Sequence, residues 1–239
     1  MKRLVFALLL APVVALASGG GYPLDRAPVN LDDRHSIQRG ARIFVNYCLN
    51  CHSANYMRYS RMQDLGLSED QIKDNLVFAG EKVGETMTIA MKKGDAKEWF
   101  GAQPPDLSVV ARSRGADWLY TYMRGFYRDD SRSTGWNNVV FDKVGMPHVL
   151  WQLQGDQVLE RAHGGEDQHE VPRLKLVKPG TATPAEYDAM AGDLVNYLVW
   201  MGEPAKNFRI QTGIIVIIFL ILFAVVAYYL KKEFWKDVH

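Results

Sequence analysis

Cysteine is almost missing from this chain: Cys48 and Cys51 are the only two in 239 residues. With no other thiol, no structural disulfide can form, and the fold has to be held by its core or by a bound group. A cysteine-rich zinc site is excluded on the same count. Charge of one sign is missing too. Lys and Arg number 28 against 27 Asp and Glu, a net charge of +1, and nothing suggests nucleic acid as a partner. There are no repeats and no low-complexity tracts. Strand signals are few. Stretches rich in Gly, Pro, Asp and Ser at 19–33, 101–108, 128–138 and 163–181 read as irregular loops.

What is there is concentrated in one string. Residues 48–52 read Cys-Leu-Asn-Cys-His, the attachment pattern for a c-type haem. Two thiols add to the haem vinyl groups, and the adjacent imidazole of His52 is then placed to ligate the iron. A dithiol oxidoreductase would use the same C-x-x-C pair, but it needs a βαβ setting. Here the preceding residues Ile37, Ala41, Phe44 and Val45 recur at helical spacing instead.

Both ends of the chain carry apolar runs. Lys2 and Arg3 precede a run from Leu4 to Leu16, and Ala15-Leu16-Ala17 matches a cleavage site, so residues 1–17 read as a signal peptide. Export is what covalent haem attachment outside the bacterial cytoplasm requires. Residues 210–230 carry no charge; at about 1.5 Å per residue they reach roughly 30 Å, one hydrocarbon core. Tyr228, Tyr229 and Trp235 with Lys231, Lys232 and Lys236 form the flank expected of a cytoplasmic helix end. The organisation expected is a signal at 1–17, a periplasmic haem domain at 18–209, a single transmembrane anchor at 210–230 and a cytoplasmic tail at 231–239. The location is then the bacterial inner membrane, with the haem domain in the periplasm.

Within the body, Thr183-Pro184-Ala185-Glu186 is a capping box with proline in the first turn, and it opens a helix to about Met201. Tyr187, Met190, Leu194, Tyr197, Leu198 and Met201 fall on one face. A c-type haem domain would cross its first and last helices with small and aromatic residues at the contact, and Gly40 and Phe44 would suit that crossing against Leu194, Tyr197 and Leu198. Residues 116–127 read as another helix, with Trp118, Leu119, Tyr122 and Met123 apolar. The iron needs a second ligand. Met87 and Met91 sit in a predicted helix, and Met190 and Met201 on the terminal helix, where methionine fills core gaps. Met146 lies in a loop, Gly145-Met146-Pro147, where backbone can approach a haem. His148 is its neighbouring rival, while His163 and His169 fall in a polar, acidic stretch.

Five blocks in order resemble the cytochrome c1 family, haem subunits of ubiquinol–cytochrome c reductase. They are Cys48–Ser53, Gly101–Ser108 with its P-P-D-L-S core, Arg112–Gly115, Met146-Pro147, and Asp193–Leu198 running through Glu203-Pro204 into the anchor. The resemblance implies a mainly α, class I-like cytochrome c domain with long irregular loops and one C-terminal transmembrane helix. It implies one covalent haem c per chain, with Cys48, Cys51 and His52 holding it and Met146 as the axial methionine. Arg114 would contact a haem propionate, and Pro105 would pack near the haem on the histidine side. Expected partners are a cytochrome b subunit, a Rieske-type iron–sulfur protein as donor, a cytochrome c as acceptor, and the lipid bilayer. The chain would be an electron-transfer subunit rather than an enzyme alone. A haem subunit of another membrane complex, or a tethered dithiol oxidoreductase, are the alternatives. Some family members steady the methionine-side loop with a disulfide that this chain cannot make. The acidic Glu166, Asp167 and Glu170 could steer a basic acceptor or simply be a solvated face.

Overall fold

The computed structural model describes residues 22–160 and 172–237. The expected signal peptide, His163, His169 and the acidic Glu166–Glu170 stretch lie outside the described residues. In chain order the regular elements begin with α1 (Arg34–Ile43), a π-helical turn (Phe44–Cys48), β1 (Ala54–Arg58), a 3-10 turn (Tyr59–Leu65), α2 (Glu69–Leu76) and β2 (Thr86–Met87). There follow α3 (Lys93–Phe100), α4 (Val110–Arg114), α5 (Ala116–Arg124), β3 (Phe126–Arg128), β4 (Trp136–Asn138), α6 (Trp151–Gln154), β5 (Gly155–Glu160), β6 (Arg173–Pro179), α7 (Pro184–Gly202) and α8 (Lys206–Phe234). Helices dominate, and among the described residues the strands pair as three separate two-stranded antiparallel sheets, β1–β2, β3–β4 and β5–β6.

The frame of the domain is the crossing of α1 and α7. Asp33 caps α1 by accepting from the Ser36 amide, and the Thr183 box caps α7 as its sequence requires. Gly40 sits at the contact: a Cβ there would lie 2.0 Å from the Asp193 carbonyl oxygen and 2.7 Å from Tyr197 Cβ, so only glycine lets the two backbones approach this closely. Phe44 meets Tyr197 with ring centroids 5.4 Å apart, and Arg39 forks onto Asp193 at 2.6 and 2.9 Å. The expected α1–α7 contact is therefore present. The single-face expectation for α7 is too narrow. Ala191, Val195 and Asn196 are buried as well, because α4, α5 and α6 also pack on this helix. Asn196 donates to the Asn30 carbonyl at 2.8 Å, which ties the segment before α1 to α7.

Other expectations change. Met87 lies in β2 and Met91 outside any helix, so the predicted helix over them is not formed. The helix expected at 116–127 ends at Arg124, and the chain passes through Gly125, where a Cβ would lie 2.9 Å from both the Thr121 carbonyl oxygen and Val139 Cγ2, into β3, which pairs with β4. Strands β4 and β6 occupy stretches read as loops. β4, Trp136-Asn137-Asn138, is too short to show a period, whereas Arg173–Leu176 of β6 does alternate polar and apolar inside a stretch otherwise rich in loop residues. The apolar run at the C-terminus is one continuous helix, α8, longer than 210–230 at both ends. It is the one described helix long and apolar enough to cross a membrane, and none of its apolar window is covered by the rest of the chain.

Candidate haem site

The C-x-x-C-H string follows α1 without a break in the coiling. Leu49 N–H donates to the Phe44 carbonyl at 2.9 Å, and His52 N–H to the Cys48 carbonyl at 2.9 Å. Residues four apart on such a turn share a face, so Cys48 and His52 are displayed together. Both cysteines are free thiols, Cys48 buried and Cys51 half-buried.

The P-P-D-L-S segment is laced onto the residues just after the motif. Leu107 N–H donates to the Ser53 carbonyl at 2.8 Å, Asn55 N–H to an Asp106 carboxylate oxygen at 2.8 Å, and Tyr56 N–H to Ser108 Oγ at 3.1 Å. This register sets the Pro105 carbonyl 2.7 Å from His52 Nδ1. A carbonyl only accepts, so Nδ1 must carry the proton and Nε2 is left with its lone pair. Burial lowers the His52 pKa, against the opposing pull of the Pro105 carbonyl and Asp106, and so favours the neutral ring. An imidazole fixed through Nδ1 to a backbone carbonyl, with Nε2 unprotonated, is what ligating a metal requires. The residues present fit an axial haem ligand flanked by two thioether positions.

The same site argues against dithiol chemistry. Burial, reinforced by Cys51, pushes the Cys48 thiol up to about 12, and burial raises Cys51 as well. A disulfide-exchange nucleophile needs the opposite shift. Among the described residues, no group of three or more His, Cys, Asp or Glu side chains is placed to hold a metal ion.

Met146 belongs to a second cluster. The Tyr122 hydroxyl donates to its sulfur at 3.4 Å. Trp118 stacks on Tyr122 with centroids 4.8 Å apart, and the Arg114 guanidinium lies 5.1 Å above the Trp118 ring. Arg114 is thus brought to the Met146 side through two aromatic rings, while Pro105 stays with His52. His148 is buried in an aromatic slot, stacked on Phe126 at 4.8 Å and edge-on to Trp136 at 5.0 Å. Burial pushes its pKa down to about 4; Gln154 opposes the shift without closing a hydrogen bond to Nε2.

No disulfide holds the Met146 loop; buried asparagines do. Asn137 Nδ2 donates to Asp129 and Asp142, both at 2.9 Å, and its Oδ1 accepts from the Asn138 and Lys143 amides, also at 2.9 Å. Asn138 Nδ2 donates to the Tyr122 carbonyl at 2.8 Å. Tyr122, Asn137 and Asn138 were invisible as site residues in the sequence. The one available signal was the spacing of Arg114, Trp118 and Tyr122 at intervals of four.

A family model described as the Cytochrome C1 family matches residues 26–238. The chain belongs to the Cytochrome C1 family. It is 49% identical over 244 aligned residues to the cytochrome c1 of Allochromatium vinosum, covering all of both chains. It is also 53% identical, over 100% of its own length and 99% of the other, to a Nitrosomonas europaea protein named ammonia monooxygenase gamma subunit. A solved chain of a hyperthermophilic respiratory Complex III aligns over all of this chain and 95% of that one, with 15% identity and a TM-score of 0.45. Membership makes this an electron-transfer haem subunit of a cytochrome bc complex, with haem c held covalently and a membrane anchor.

Proposed function

We propose that the chain holds one haem c through Cys48 and Cys51, with His52 and Met146 as axial ligands, in a class I-like domain. It passes single electrons from a Rieske-type iron–sulfur protein to a cytochrome c at the periplasmic face of a bacterial inner membrane. Bound haem c supplies a one-electron couple. The residues around it would orient and shield: Pro105 fixes the His52 tautomer through its carbonyl, Arg114 would supply a cation for a propionate, and the α1–α7 crossing backs the motif. Residues 1–17 act as export signal, α8 crosses once beside a cytochrome b subunit, and Lys231, Lys232 and Lys236 hold the C-terminus inside. The His52–Pro105 contact beside two free thiols carries this reading.

The test is purification of the full chain from membranes with its associated subunits. Haem staining after denaturing electrophoresis should travel with this chain, and cytochrome b and an iron–sulfur protein should co-purify. Haem that leaves into acid acetone would end the covalent claim. The name of the Nitrosomonas relative favours one second reading, a subunit of another membrane oxidase or oxygenase. Co-purification with monooxygenase subunits instead of cytochrome b would select it.

A further inference from the structure

We infer that Tyr122 is a positioning residue for the iron-ligating sulfur: its hydroxyl holds the Met146 thioether in one orientation, draws on its lone-pair density, and so raises the reduction potential. The inference rests on Met146 being the ligand.

The phenol does not reach Met146 by chance of a loose side chain. Tyr122 is 8% exposed. Its ring is stacked on Trp118 at 4.8 Å with planes 11° apart, and edge-on to Phe126 at 5.1 Å. Its own carbonyl is held by Asn138 at 2.8 Å. Three contacts on the ring and backbone therefore place the hydroxyl, independent of the sulfur it meets at 3.4 Å. A thioether sulfur has two lone pairs and no proton. With one engaged by a hydroxyl, the other is directed elsewhere, and the rotation of the Cγ–Sδ bond is restricted. A proton donor on sulfur also reduces the density it can give to iron. Ferric iron needs that density more than ferrous iron does, so the donor favours the reduced state. In a buried site such a bond is stronger than in water.

The molecule contains its own control. The Tyr197 hydroxyl donates to Met87 sulfur at the same 3.4 Å, both fully buried, at the α1–α7 crossing. That pair has the same chemistry but no proposed iron.

The experiment uses the full chain in its membrane complex. Tyr122→Phe removes one oxygen and keeps the ring stack. At the wild-type midpoint potential the ferric-to-ferrous ratio should rise by up to about tenfold, the full worth of one neutral hydrogen bond being the ceiling on its difference between the two redox states. The near-infrared band of sulfur-ligated ferric haem should shift while covalent haem content stays the same. Fluorotyrosine at position 122, a stronger donor, should move the ratio the other way. Tyr197→Phe should leave both ratio and band unchanged. An unmoved ratio and band in Tyr122→Phe, or equal shifts in Tyr197→Phe, would overturn the role given to Tyr122. A band that survives Met146→Leu would instead remove the ligand itself, a separate failure.

Discussion

The two sides of the haem site are built by different means. The histidine side is one turn of chain braced by a distant loop through backbone and side-chain groups. Cys48, Cys51 and His52 share one turn, and the segment 104–108 hydrogen-bonds to residues 53–56. The methionine side is an assembly of side chains from α4, α5, the β3–β4 hairpin and the loop after it. Tyr122 touches the sulfur, and Asn137 closes the loop with four hydrogen bonds. The difference teaches that the attachment string itself needs only local geometry, while the orientation of its imidazole needs one distant loop. Met146, the ligand proposed for the opposite side, has no covalent tether, and a buried polar network holds its loop.

The contrast is broken most severely on the histidine side. Cys48→Ala with Cys51→Ala should abolish covalent haem, read as complete loss of haem staining at this chain's mass after denaturing electrophoresis. Retained stain would mean that attachment lies elsewhere.

Met146→Leu is the matching change on the other side, and its outcome should differ in kind. Covalent haem should persist, the near-infrared sulfur band should vanish, and the reduction potential should fall by a large part of the range open to axial ligands. If band and potential both survive, His148 becomes the residue to examine.

The frame behind both sides can be tested at Gly40. Gly40→Ala places a Cβ 2.0 Å from the Asp193 oxygen, and overpacking there should cost about 3 kcal/mol. Thermal unfolding of the haem-loaded protein measures it; an unchanged midpoint would show that the helices separate without penalty.

Asn137→Ala should cost about 1–3 kcal/mol, since Asp129, Asp142 and the Lys143 amide lose a buried partner. The near-infrared band should broaden or weaken while haem staining stays whole. Equal damage to the attachment chemistry would erase the distinction between the two sides.

The smallest effect is expected at Pro105. The group that fixes His52 is the backbone carbonyl, which alanine also has. Pro105→Ala should change stability by less than about 1 kcal/mol and leave the ligand spectrum as it was. A spectral change as large as that of Met146→Leu would assign the role to the ring.

By itself the sequence determined the features that are contiguous. The haem attachment string, the capped α7 and the apolar α8 can all be read from neighbouring residues, because helix periodicity, capping and covalent attachment act over a few positions. Five separated blocks in order were enough to reach the family. Tertiary structure decided what joins distant positions. That the Pro105 carbonyl meets His52, 53 residues away, follows only from the lacing of one loop onto another. That Tyr122 donates to Met146, and that Asn137 and Asn138 tie the loop beside it, depends on a hairpin of three-residue strands too short to show a period. Which strands pair, β3 with β4 and β5 with β6, was hidden for another reason: hydrogen bonds between strands are set by which chain segments meet.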